Sequence, residues 1–101
     1  MWYTYVLQSK KNGRLYTGYT GDLKRRFEEH NQKRGGAYSG KNAPFVLIFY
    51  EAYTEKEDAS QAERFFKTGY GREVLRGKLK KFFEINHGVD VASSATRRRG
   101  G

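Results

Sequence analysis

The sequence predicts a small two-layer α+β fold, a mainly antiparallel three-stranded sheet flanked by helices in the order β-β-α-β-α-α. Three observations predict it. Two short Tyr- and Thr-rich segments flank an Asn-Gly pair near the start, two highly charged stretches carry apolar residues at helical spacing, and a nearly continuous apolar run lies between them. With 101 residues the chain has room for one domain with a single core.

Residues 3–7 and 14–20 read as a β-hairpin around the polar stretch 8–13, which ends in the turn pair Asn12-Gly13. The two-residue period puts Tyr3, Tyr5 and Leu7 on one face of the first strand and Tyr16, Gly18 and Thr20 on one face of the second, so two tyrosines can meet across the hairpin. Gly21-Asp22 supplies a turn and an N-cap for a helix over 23–33, ended by Gly35-Gly36. Residues 37–44, rich in Gly, Ser and Asn, form a loop. The apolar and aromatic run 45–53 suits a strand covered on both faces. Thr54 and Glu57 fit a capping box opening a second helix that runs to about Thr68. Gly69 and Gly71 bracket a break, and 73–83 reads as a third helix. From Gly88 onward the Ser/Ala/Thr/Arg/Gly composition cannot bury a core, so 1–87 is the expected domain and 88–101 a disordered basic tail.

Lys and Arg number 20 against 11 Asp and Glu, a formal charge of +9, and a pI near 9.9 follows. The tail, through Arg97, Arg98, Arg99 and Asp90, carries only +2 of it, so the surplus belongs to the folded part and points to a polyanionic partner such as nucleic acid. Cysteine is absent, which excludes disulfides, thiolate nucleophiles and Cys-based zinc sites. The start lacks the basic and apolar regions of a signal peptide, and no apolar run approaches the roughly 18 residues of a membrane span. The expected location is cytoplasmic, without membrane contact.

On a helical wheel Leu23, Arg26, Phe27 and His30 share one sector roughly 100° wide, so Arg26 and His30 lie on the inward stripe of the first helix. Two such groups four residues apart are costly there unless paired or lining a cleft. The structural alternatives are an arginine stem packed on the core with its head in water, and a satisfied border histidine. On the second helix Ala59, Ala62, Phe65 and Phe66 face the core and Glu63 lies at the edge of that stripe. An acid there, in so basic a chain, suits a hard divalent cation; a salt bridge to a neighbouring Lys or Arg suits the position equally well. For Tyr5 and Tyr16 the structural alternative is a cross-strand aromatic pair.

Taken together, Tyr3-Thr4-Tyr5, ten intervening residues, Tyr16-Thr17-Gly18, then Asp22-Leu23-Lys24-Arg25-Arg26-Phe27 and His30-Asn31 resemble the core of the GIY-YIG nuclease superfamily, over roughly residues 3–67. Size and layout look most like its small single-domain bacterial members, related to the N-terminal cleavage domain of the excision-repair incision subunit. The resemblance implies a GIY-YIG-like fold and metal-dependent hydrolysis of nucleic-acid phosphodiesters, DNA before RNA, in repair, recombination or processing. It assigns Tyr5, Tyr16, Arg26 and His30 to catalysis and Glu63 to a single Mg²⁺ or Mn²⁺. In that scheme Arg26 meets the phosphate oxygens, Tyr5 and Tyr16 position the attacking water, one of them as its base, and His30 relays the proton. Gly18 lets backbone and substrate approach closely. Expected nucleic-acid contacts are Gly18, Tyr19, Lys24, Arg25, Lys33, Arg34, Lys41 and Lys67. Tyr3 and Thr4 stand in place of the first motif's glycine and isoleucine, Thr17 in place of the second motif's isoleucine, and Tyr19 where some members carry a lysine. Asn42 and Asn86 are the nominees for a late asparagine used by some members. With no second domain to read sequence, substrate choice falls to nucleic-acid shape, a partner protein or the rest of the basic surface. A non-catalytic DNA- or RNA-binding module, its tyrosines stacking bases, is the competing reading.

Overall fold

The hairpin closes as its sequence requires. In the computed structural model, which describes residues 1–32 and 42–86, β1 (Trp2–Ser9) pairs antiparallel with β2 (Leu15–Thr20), Tyr5 opposite Gly18 and Leu7 opposite Tyr16. Gly13 turns the chain at φ 76°, in the left-handed region open to glycine. Its N–H donates to the Ser9 carbonyl (2.9 Å), and the Ser9 N–H donates to the Arg14 carbonyl (3.0 Å).

The third strand, β3 (Phe45–Tyr53), joins the free edge of β1, giving an antiparallel sheet in the order β2-β1-β3. Its register slips between Val6 and Leu7: Val6 faces Phe49 and Leu7 faces Leu47, leaving Ile48 as a bulge. The slip lets β3 serve two cores. Phe45 and Leu47 join Tyr5 and Leu7 on one face, while Ile48 and Phe49 join Val6, Phe66 and Leu75 on the other.

Helices lie on both faces, and β1 between them is buried from Thr4 to Ser9. The first face is covered by α1 (Leu23–Asn31) through Leu23 and Phe27. Asp22 caps α1, its Oδ1 accepting the Arg25 N–H at 3.1 Å. At the other end the Asn31 side chain accepts the Phe45 N–H (2.6 Å) and donates to its carbonyl (3.1 Å), fastening α1 to the start of β3. The expected extension of α1 to Lys33, its Gly35-Gly36 stop and most of the 37–44 loop lie outside the described residues, as does the 88–101 tail.

The second face is covered by α2 (Lys56–Phe66) and α3 (Gly69–Lys78), followed by α4 (Lys80–Ile85). Thr4, inside the sheet, donates its hydroxyl to the Ala59 carbonyl at 2.6 Å. The expected capping box does not form. Strand pairing continues to Tyr53, opposite Trp2, so Thr54 and Glu55 are spent on the turn and Glu55 becomes the N-cap without a side-chain bond. The glycine break is also corrected. Gly69 opens α3, Thr68 caps it by accepting the Gly71 N–H at 2.9 Å, and Gly71 is buried where a Cβ would overlap the Phe65 carbonyl. Glycine there permits the close junction of α2 and α3. The expected third helix therefore starts four residues earlier, at Gly69, and is divided at Leu79, the C-cap of α3 and N-cap of α4. The fold is α+β, a three-stranded antiparallel sheet with four helices among the described residues. Among those residues no helix is long and apolar enough to cross a membrane.

Candidate active site

Because Tyr5 and Gly18 are cross-strand partners, the Tyr5 ring lies over a position with no side chain. A Cβ on Gly18 would overlap the Tyr5 hydroxyl and stand 2.7 Å from its Cζ. The space at Gly18, expected for substrate, is thus taken by the tyrosine, whose hydroxyl is carried across β2 toward α1. There it meets His30 Nε2 at 3.3 Å. Arg26, one helical turn before His30, interacts with the same hydroxyl.

This cluster is seated in the core. Tyr5 is 4% and His30 7% exposed, and the imidazole is set edge-on against Tyr5 and Phe45, with ring centroids 6.1 and 5.7 Å away. Tyr16 joins it on the same face, its hydroxyl buried and its ring edge-on to Phe45 at 5.2 Å. Burial first, and the Arg26 charge second, hold His30 below its ordinary pKa, with Glu29 opposing. His30 is therefore neutral at pH 7. The Tyr5 hydroxyl is the main influence holding Arg26 above its ordinary value; burial opposes and Glu29, 3.3 Å from Nη1, assists. Nδ1 of His30 is buried and has no hydrogen-bond partner among the described residues.

A cleft of about 800 Å³ runs along the outer edge of β2. Tyr5, Tyr16, Gly18, Arg26 and His30 line one side, and α2 and α3 supply the other with Glu63, Lys67, Arg72 and Arg76; Arg14 and Tyr19 also line it. All five residues expected at the centre thus share one cavity. Glu63 is its single carboxylate among the described residues, with a side chain 17% exposed and paired to Lys67 Nζ at 2.7 Å, the salt bridge that the sequence left open as an alternative.

The remaining nominees divide. Gly18, Tyr19 and Lys67 line the cleft. Lys24 lines a separate groove with Tyr3, Phe27 and Tyr50, and Arg25 points to solvent between Asp22 and Glu29, 4.0 and 3.7 Å away. Lys33, Arg34 and Lys41 lie outside the described residues. Neither late asparagine reaches the cleft: Asn42 accepts from Asn12 and Ser9 near the hairpin turn, and Asn86 caps α4 by donating to the Phe82 carbonyl at 2.8 Å. Sequence reasoning missed Arg14, Arg72 and Arg76. The signal for Arg72 was present, since it precedes the buried Leu75 by three residues on one helical stripe, as Arg26 does His30 by four.

Relatives include UPF0213 proteins of Streptococcus agalactiae serotype V and Streptococcus pyogenes serotype M5, each 45% identical over 65 residues. That stretch is 64% of this chain and 73% and 70% of theirs. Their names state a family and no activity. A solution NMR structure of a UPF0213 protein from Bacillus halodurans is 28% identical, with a TM-score of 0.42 and full coverage of both chains. The family model described as the GIY-YIG catalytic domain matches residues 1–78, and this chain belongs to that family.

Proposed function

We propose that this protein is an endonuclease that hydrolyses nucleic-acid phosphodiesters, DNA in preference to RNA, with one divalent cation, in repair, recombination or processing. The observation that carries this is the Tyr5 hydroxyl held between Arg26 and His30 in a cleft that Glu63 also lines. Membership of a catalytic-domain family supports it.

Glu63 suits Mg²⁺ or Mn²⁺ as a largely enclosed carboxylate lining the cleft. No group of three or more ligating side chains occurs among the described residues, and a cation of this kind, held by one carboxylate, fills its remaining positions with waters and phosphate oxygens. Bound there, it would supply charge to polarise the phosphate and stabilise the departing oxygen.

The protein's own groups divide the rest. Arg26 has only donors, so its contact with Tyr5 uses the hydroxyl oxygen and leaves the hydroxyl hydrogen for His30 Nε2. In that tautomer the imidazole hydrogen sits on Nδ1, and leaving this buried group unpaired costs about 1–3 kcal/mol. Water attacks phosphorus as Tyr5 takes its proton and passes its own to His30; the P–O bond to the leaving strand breaks on the opposite side. Arg26, permanently charged and planar, also binds the non-bridging oxygens as negative charge builds on them. Tyr16 positions the water.

Purified protein with Mg²⁺ or Mn²⁺ is expected to cut at least one of linear, flapped or branched DNA, and Glu63→Ala to cut none. If every DNA and RNA substrate stays intact and Glu63→Ala matches the parent, the nuclease reading is lost. The Glu63–Lys67 pair favours a second reading, a non-catalytic binding module whose carboxylate serves only its lysine. That module wins if Tyr16→Ala and Arg26→Ala weaken metal-free binding while nothing is cut.

A further inference from the structure

The cations of the cleft are not equivalent. Lys67 is engaged with Glu63, and Arg26 with Tyr5 and Glu29. Arg14 and Arg72 line the same cleft, are exposed, and take part in no ion pair among the described residues. Including Arg76, five cations face one carboxylate in this cavity among the described residues, a distribution that repels itself until an anion enters.

Both arginines spring from fixed backbone. The Arg14 N–H is held by Asn12 Oδ1 at 2.8 Å and its carbonyl by the Ser9 N–H at 3.0 Å, at the closed end of the hairpin. The Arg72 N–H is held by the Thr68 carbonyl at 3.0 Å in the first turns of α3. They also stand apart from the reacting centre. Arg14 lies four residues along the chain from Gly18, roughly 13 Å at strand rise, and Arg72 belongs to α3, a separate helix from the α1 that carries Arg26 and His30 and from the α2 that carries Glu63.

We infer that Arg14 and Arg72 form a second anion subsite that binds phosphodiester groups flanking the scissile one, so that the substrate is a strand continuing through the cleft. The inference rests on the nucleic-acid reading above and deepens it. Arginine suits the task because its fork meets two oxygens of one phosphate while its exposed stem adjusts to the strand.

Each phosphate neutralised steepens the salt dependence of binding, by about 0.9 in the slope of log affinity against log salt for duplex DNA and about 0.7 for a single strand. The test is a salt titration of metal-free protein by fluorescence anisotropy, on duplex DNA, single-stranded DNA and duplex RNA of one length. Arg14→Gln/Arg72→Gln is expected to flatten the slope by close to two contacts on at least one of these, whereas Lys78→Gln, one charge removed from the same helix outside the cleft, leaves it unchanged. In cleavage of an oligonucleotide the double variant raises KM with kcat held. A slope equal to that of the parent or of Lys78→Gln overturns the subsite, as does a fall in kcat with KM held, which would assign the pair to the scissile phosphate. If no chain cuts any substrate but the slope still flattens, the nuclease reading falls and the subsite stands.

Discussion

On one wall of the cleft Tyr5 and His30 are packed among Phe45 and Tyr16, and their polar atoms answer one another across the sheet. On the other wall Glu63 and Lys67 face each other at a solvent edge, the lysine 53% exposed, and Arg72 stands in water. In the first wall the hydrophobic core fixes polar groups, so position and charge state are settled by packing before any substrate arrives. In the second, Glu63 is largely enclosed but the cations around it are solvated at their heads, so they are held to it by charge and remain free to exchange partners. The comparison teaches that chemistry demanding fixed geometry belongs to the buried wall, and binding that must adapt belongs to the open one.

The largest effect should come from the buried wall. Arg26→Ala is expected to lower kcat by about 10²–10³-fold, the size of losing one fixed donor at a developing negative charge. Arg26→Lys should restore little, because an ammonium lacks the fork. The side chain is 40% exposed, so melting temperature should hold. Single-turnover cleavage beside a thermal melt decides this, and full rescue by lysine would break the comparison by showing that charge without geometry suffices.

Gly18→Ala comes next. Its Cβ has no room unless the Tyr5 ring moves, and overpacking of this kind costs about 1–3 kcal/mol. Urea unfolding measures that cost, and in a Tyr5→Ala background the Gly18→Ala change should cost almost nothing further, because neighbouring changes sharing one space are non-additive. If the double variant loses the sum of both, Gly18 has some purpose other than housing Tyr5.

How far the sequence reached follows the same division. Where burial imposes a period, residues announced their place: alternation put Tyr5, Gly18 and Tyr16 on one face, and the 3.6-residue stripe put Arg26 and His30 inward. Turn chemistry was legible at Asn12-Gly13 and at the Asp22 cap. It misled at Thr54 and Glu57, since the length of strand pairing, a tertiary matter, decided where α2 begins. It misled again at Gly71, whose role is a close approach between helices that local patterns do not encode. The open wall was least legible: a solvated lysine or arginine looks alike wherever it stands, so Lys24 and Arg25 were nominated while Arg14 and Arg76 were passed over.

A smaller effect is expected from acid. The His30 pKa is lowered on folding, so its neutral form is the favoured one; that stability is complete above the unfolded value near 6.5 and is lost as pH falls through the folded value. A protonated His30 cannot accept from Tyr5. Accordingly the acid limb of kcat/KM should follow the folded value and so lie below the range of an ordinary histidine, and urea midpoints should decline on the acid side as well. His30→Gln should flatten the unfolding profile and remove the acid limb from a lower plateau. An acid limb unchanged in that variant would assign it to another group.

The smallest effect belongs to the open wall and is the most direct measure of its freedom to exchange partners. Lys67 Nζ is 2.7 Å from the Glu63 carboxylate, the position a divalent cation would compete for. The lysine of this pair is half exposed, and an ion pair four residues apart on a helix contributes about 0.3–0.5 kcal/mol, so removing the lysine should tighten cation binding by roughly twofold. Mn²⁺ titrated into Lys67→Met without nucleic acid, followed by electron paramagnetic resonance, should show that gain, and Glu63→Ala should show little binding. Unchanged Mn²⁺ affinity in Lys67→Met, with Glu63→Ala still impaired, means that the lysine yields without cost and the wall is looser than the pair suggests. Weaker affinity in Lys67→Met would reverse the argument, making the lysine a positioner of the carboxylate and giving the open wall the fixed geometry that distinguishes the buried one.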